Sequence, residues 1–259
     1  MTEALHLDKI KSFFRKYWMT ACVYAGLILL YVFLTETERV HPFLFPSGDA
    51  ILTALYDNRE VMLLNMFASF RLLIPAILIS LVIALSIGII LGMNRRLRDA
   101  FQPVIYTFSV VPAVLLSPFA LMLAPTVWLA SVFLIVYSTV WSTLFATTTG
   151  IMTIDKRYLD KAATLELRGI KKMTKVILPA ASPTILAGFV NSLRGAFVML
   201  VFAEMFGAQH GMGFFVRLNA EFGLYNRTWA GFIFMVFVLF FVMQFFEKLQ
   251  ERLLRWTIH

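Results

Sequence analysis

Three ionisable side chains fall inside or at the ends of long apolar runs: Arg71, Arg194 and Glu204. A charge at the centre of a membrane helix costs at least ~2.5 kcal/mol on insertion scales, so each needs a partner, a route to headgroups or a polar permeant. Arg71 lies near one end of its run and can snorkel to headgroups. Arg194 is either a packing and ion-pair residue or a cation facing an anionic permeant. Glu204, followed by Met205-Phe206-Gly207, is placed to hold the adjoining loop or a partner. Arg194 and Glu204 share one run but lie ten residues apart, ~15 Å on a straight helix, which excludes an i, i+4 pair.

Enzyme chemistry is missing from the pattern. His6, His41, His210 and His259 lie outside the apolar runs, no HExxH, CxxC or GxSxG occurs, and no metal-ligand set is spelled out. The phosphate loop GxxxxGK followed by Ser or Thr is absent, so the chain is not read as an ATPase or other enzyme, and energy must come from another subunit or a gradient. Cys22 is the single cysteine. It excludes an intrachain disulfide and reads as a buried small hydrophobe.

The elements that must position these residues are membrane helices. A composition of 60% hydrophobic and 15% charged residues with mean hydropathy +0.80 is far from the soluble average of about 25% charged. Runs long enough to cross a bilayer occur near Trp18 to Leu34, Leu63 to Gly92, Val104 to Leu123, Val127 to Thr149, Ala180 to Phe206 and Thr228 to Phe246. The expected fold is therefore all-α with six transmembrane helices. Most Lys and Arg fall on one side: Lys9, Lys11, Arg15 and Lys16, then Arg95, Arg96 and Arg98, then the cations between Lys156 and Lys175, then Lys248, Arg252 and Arg255. By the positive-inside rule that side is cytoplasmic, with both termini on it. The net charge of +8 then reflects topology, and a nucleic-acid partner is not expected. The N-terminus lacks a small-residue cleavage site, so its first run is read as a retained anchor.

Local patterns add detail. Ser47-Gly48-Asp49 should cap a short interfacial helix. Ala76, Ser80, Ala84, Gly88 and Gly92 recur every four residues on the second run, a small-residue ridge that admits another helix backbone. A seam within the subunit is favoured over one between subunits. The second run is longer than a bilayer requires and should tilt, bend near Pro75 or extend beyond it. Pro103, Pro112, Pro118 and Pro125 crowd the third, either kinking a packing helix or opening a backbone that lines a wet pathway, with Ser109 and Ser117 beside the breaks. Ser138, Thr139, Ser142, Thr143 and Thr147 to Thr149 serve interhelical hydrogen bonding or a polar permeant. The candidate pathway residues are Pro112, Ser117, Pro118, Thr143, Arg194 and Glu204.

Between the fourth and fifth runs stands YLDKAATLELRGIKKMTKVILP, Tyr158 to Pro179. Leu159, Ala162, Ala163 and Leu165 or Glu166 follow helical spacing among cations, which predicts a short amphipathic helix at the membrane surface. The spacing resembles the cytoplasmic loop of binding-protein-dependent ABC importer permeases: Glu-Ala-Ala, three residues, Gly, nine residues, Ile, one residue, Leu-Pro. Aligned on Leu178-Pro179, Val176 takes the Ile position, Glu166 the Gly position and Asp160-Lys161-Ala162 the Glu-Ala-Ala. LFPSGDAILTAL, Ser69-Phe70-Arg71, the Pro112 and Pro118 pair, LPAASPTILAGF and FAEMFGAQHGMGFFV look like the taurine, aliphatic sulfonate and nitrate branch. The resemblance covers roughly Leu44 to Trp256.

It implies the type I ABC importer permease fold in one domain, residues 1–259: an N-terminus to residue 17, a core over 18–249 with coupling loop 155–179, and a tail from 250. It also implies a dimer of permeases in the inner membrane, a cytoplasmic ATPase pair holding ATP and Mg²⁺, and an extracytoplasmic solute-binding protein. Asp160, Lys161, Ala162, Ala163, Glu166, Gly169, Leu178 and Pro179 would form the coupling surface. Asp160 shortens the usual Glu, Lys161 replaces Ala, and Glu166 stands where Gly permits a turn that Gly169 could take over. These departures raise a second arrangement, a heterodimer with a permease of standard loop. The solute would be small, with Arg194 favouring an anion: a sulfonate, nitrate or vitamin precursor. A gradient-driven carrier, which would need intramembrane carboxylates or His, and a non-transporting scaffold are the alternatives.

Overall fold

The computed structural model describes residues 2–37 and 39–255, with side-chain surroundings from Trp18 onward. Lys9, Lys11, Arg15 and Lys16 lie outside the residues whose side chains are described, and His259 outside the described residues altogether. The helices run in the order α1 (Thr2–Glu36), α2 (Gly48–Asp57), α3 (Arg59–Met93), α4 (Arg95–Val110), a 3₁₀ turn (Ala113–Leu116), α5 (Ser117–Leu123), α6 (Val127–Met152), α7 (Lys156–Thr164), α8 (Gly169–Lys172), a π turn (Met173–Ile177), α9 (Leu178–Phe206), α10 (Met212–Glu221) and α11 (Tyr225–Leu253). Five stretches are long and apolar enough to cross a membrane, and a bent pair brings the number to six.

The bundle is built around α6, which packs along both α3 and α9. Leu72, Leu73, Ala76 and Ile77 of α3 meet Ala130, Leu134 and Ile135 of α6 and Leu193, Ala196 and Leu200 of α9 in one buried cluster. The small-residue ridge of α3 faces α6. A methyl carbon added at Gly88 would lie 2.7 Å from Thr147 Cβ, and one at Gly92 2.8 Å from Ile151 Cβ, so the two backbones touch where a larger side chain has no room. The α3 helix runs 35 residues with Pro75 inside it.

Two sequence expectations change, and a third becomes specific. The third span is broken at its prolines: α4 and the stretch Ala113–Leu123 meet at 83°. The helix stops because Pro112 has no N–H to offer the Phe108 carbonyl, and the Tyr137 hydroxyl of α6 donates to that carbonyl at 2.6 Å. Cys22 is exposed, not buried, because the span Trp18–Glu36 lies with none of its length inside the bundle. Its C-terminal turn is anchored where Tyr31 donates to the Pro46 carbonyl at 2.8 Å. The stretch between the fifth and sixth runs, expected as a loop, contains α10, which packs on α9 and α11.

Candidate functional site

One end of the bundle carries α7. Asp155 begins that helix, its side chain accepting from the Arg157 N–H at 2.9 Å and from the Arg157 guanidinium at 3.0 and 2.8 Å. The guanidinium bonds foremost, and the backbone N–H next, hold the Asp155 carboxyl below the usual carboxylate range. The capping interaction is therefore present at neutral pH and is lost only as pH falls through and beneath that range.

Along α7 the faces separate. Ala162 is 1% exposed, and Leu159 packs with Ile151, Ile177, Ala181 and Ile185. Asp160, Lys161, Ala163, Leu165, Glu166, Gly169 and Ile170 are all exposed.

The turn after α7 explains the residue at the expected glycine position. Glu166 N–H donates to the Ala163 carbonyl and Leu167 N–H to the Ala162 carbonyl, both at 2.9 Å, with Glu166 at φ 51°. This is the bonding pattern of a Schellman end, whose left-handed position favours Gly because it has no Cβ. Glu166 takes the left-handed conformation itself, and Gly169, the first residue of α8, is a second left-handed position at φ 52°. From Gly169 the helix runs without a break through the π turn into α9, and Leu178 and Pro179 directly follow that turn. The π turn is a local departure from the α-helical bonding pattern just before a proline that has no N–H to donate.

At the opposite end, between α3, the start of α6 and the end of α9, a cavity of about 630 Å³ is lined by Arg71, Trp128, Ser131, Glu204 and the segment Gly207 to His210. Glu204 is 1% exposed. Its Oε2 accepts from the Gly213 N–H at 2.8 Å, while Oε1 has no hydrogen-bond partner among the described residues. Asn65 Oδ1 accepts from Gly211 N–H at 2.8 Å and Ser69 Oγ from Met212 N–H at 2.9 Å. Three consecutive N–H groups are thus held by three buried side chains. Gly211 has φ 126°, and a Cβ there would overlap the Glu204 carboxyl, so only glycine fits. Neither Asn65 nor Gly211 was singled out in the sequence, although Asn65 and Ser69 are an i, i+4 polar pair in an apolar helix and Gly211-x-Gly213 follows Glu204 closely.

The candidate pathway residues are not gathered together. Pro112, Ser117 and Pro118 sit at the α4–α5 break, where Ser117 donates to the Val114 carbonyl at 2.7 Å. Thr143 is 1% exposed and bonds Ser192 Oγ of α9 at 3.3 Å, which gives it a packing position. Arg194 pairs with Glu247 of α11 at 3.8 Å. Of the six, Glu204 alone lines the cavity between α3, α6 and α9. Ala76, Ser80 and Ala84 are buried on the seam with α6, Ser80 accepting from Thr139 Oγ1 at 2.8 Å.

A family model described as binding-protein-dependent transport system inner membrane component matches residues 80–256. Among curated proteins, a putative aliphatic sulfonates transport permease of Bacillus subtilis is 29% identical over 174 residues, 67% of this chain and 63% of that protein. A bicarbonate transport system permease of Synechococcus elongatus is 30% identical over 139 residues, 53% of this chain and 50% of that protein. A nitrate import permease of Synechocystis is 24% identical over 169 residues, 64% of this chain and 62% of that protein. The chain thus spans at most 63% of the length of these relatives. In fold, it is similar to a chain of the MetNI methionine ABC transporter in an inward-facing conformation, with TM-score 0.64 and 13% identity over 76% of this chain and 98% of that one. A chain of an amino acid ABC transporter solved with histidines gives 0.60 and 17% over 78% and 97%.

Proposed function

The chain belongs to the family of binding-protein-dependent transport system inner membrane components and has the type I permease fold of ABC importers; from that premise we propose that it is the permease subunit of an ATP-driven importer. In this reading two permease subunits enclose the solute path. The α7 end faces the cytoplasm, a placement its excess of cations supports, and both termini lie there. An ATPase pair holding ATP and Mg²⁺ docks on that end, and a solute-binding protein meets the α2 end. Residues 1–259 form one permease domain with no catalytic step of its own.

The observation that carries this reading is the geometry of α7. Its inner face, Ala162 and Leu159, is locked onto the π turn and α9, while Ala163, Leu165 at 61% exposure and Ile170 at 82% offer a small apolar surface outward. A push on that surface passes directly into the long helix α9. ATP binding would close the ATPase pair, carry α7 with it and rotate the two permeases toward the outward-open state.

The relatives are named for sulfonate, bicarbonate and nitrate transport, which supports a small anion as solute; a vitamin precursor is the other candidate class. Arg194 is exposed and lies 3.8 Å from Glu247, whereas Arg71 lines the cavity between α3, α6 and α9 and is the better placed cation to meet it. Because Glu166 holds the turn that glycine would, the altered loop gives no reason against two copies of this chain pairing.

The test is Ala163→Glu in proteoliposomes with ATPase and binding protein. Insertion should be normal, with solute-stimulated ATPase activity and uptake both lost. Stimulation equal to that of the unaltered chain would remove α7 as the lever.

A further inference from the structure

A second surface lies just beyond α7 and differs from it in chemistry. Lys171, Lys172 and Lys175 follow the turn at Arg168 with i, i+1 and i+4 spacing, which on a helix confines three ammonium groups to an arc of ~100°. Lys171 and Lys175 are exposed and Lys172 half-buried. The ion pairs among the described residues are Arg95–Asp99, Asp155–Arg157, Arg194–Glu247 and Arg217–Glu221. None involves these lysines, so three like charges stand together uncompensated.

Their depth narrows the partner. The helix is continuous from Gly169 through Phe206, and the apolar stretch begins near Leu178. At ~1.5 Å per residue, Lys175 lies ~5 Å and Lys171 and Lys172 ~10 Å from that boundary. The headgroup layer is ~5–7 Å thick on each side of the hydrocarbon, and lysine stems extend toward it. Ile170, the exposed apolar residue, lies about a quarter turn from Lys171 on the side away from Lys172, so the apolar docking surface and the cationic arc diverge.

We propose that Lys171, Lys172 and Lys175 bind the phosphate headgroups of anionic lipids in the leaflet at the α7 end. The proposal rests on the cytoplasmic placement of that end. Bound headgroups would fix the foot of α9 at a set depth, so that movement of α7 turns α9 instead of sliding it along the membrane normal. Acidic protein surface is the rival occupant, but to meet Lys175, ~5 Å from the apolar boundary, it would have to enter the headgroup layer.

Native mass spectrometry of the purified full chain, given equal amounts of phosphatidylglycerol and phosphatidylcholine, tests this without reference to orientation or to the ATPase. The unaltered chain should prefer phosphatidylglycerol. Each Lys→Gln change should weaken that preference ~fivefold, and Lys171→Gln, Lys172→Gln and Lys175→Gln together should abolish it. The triple Lys→Arg variant should keep it and controls for folding, and Arg95→Gln with Arg96→Gln should leave it unchanged. The proposal is overturned if the triple Gln variant retains the preference or the Arg variant loses it. It is equally overturned if the control loses it, if glycerol phosphate displaces the lipid at matched concentration, or if the Gln variant loses ATPase capture with lipid preference intact. A failed Ala163→Glu test with lysine-dependent lipid preference would remove the lever and leave the lipid site standing.

Discussion

At the scale of single residues, the instructive position is Glu166. Its φ of 51° places a side chain where the left-handed region crowds Cβ, at ~1 kcal/mol or more for a non-glycine residue. Glu166→Gly should therefore stabilise the end of α7 by about 1 kcal/mol, visible as slower hydrogen exchange at the Glu166 and Leu167 amides; faster exchange would mean that the Glu side chain itself supports the turn. Glu204 makes the complementary point. Sequence alone marked it as a costly charge at a helix end. The N–H donors of Gly211, Met212 and Gly213 are met by Asn65, Ser69 and Glu204, so one carboxyl oxygen is spent on the start of α10. The tie to α3 could not be foreseen, because Asn65 and Gly211 are 146 residues apart and nothing in local spacing connects them.

At the scale of elements, the break between α4 and α5 decides how the prolines act. Pro112 offers the Phe108 carbonyl no N–H, so that carbonyl accepts from the Val111 N–H at 3.1 Å in a tighter turn. Tyr137 adds a second donor from α6 at 2.6 Å, so a neighbouring helix also braces the 83° bend. Tyr137→Phe should cost about 1 kcal/mol and raise hydrogen exchange across Phe108 to Leu116 while α6 itself stays protected; unchanged exchange would place the control of the bend in the prolines alone. The lysine arc and α7 belong to this scale too. Their helical spacing was legible in the sequence, since amphipathic periodicity is a local property. The sharp division between the buried Ala162 and the exposed Ala163 needed the π turn and α9 as the packing surface.

At the scale of the molecule, the fold stands on α6 between α3 and α9, and the closest approaches are made by glycine. Gly88→Leu would drive a branched side chain into Thr147, whose Cβ lies 2.7 Å from the position of the first added carbon. Overpacking of that kind should destabilise the bundle by about 3 kcal/mol, read as a lower unfolding midpoint in mixed micelles; an unchanged midpoint would show that α3 and α6 can move apart. The ridge containing Gly88 was readable because its four-residue period is written in the sequence, and so were the membrane class, most span positions and the importer-type loop, all of which rest on runs and spacings within about forty residues. The tertiary structure alone decided that the break in the third run reaches 83°, that Arg194 lies 3.8 Å from Glu247, that α10 forms, and that Asn65 and Ser69 of α3 hold the N–H groups of Gly211 and Met212. Each of these depends on which helices meet. A chain in lipid must satisfy every buried carbonyl, N–H and charge from whatever neighbour the packing provides, and one-dimensional spacing does not say which neighbour that will be.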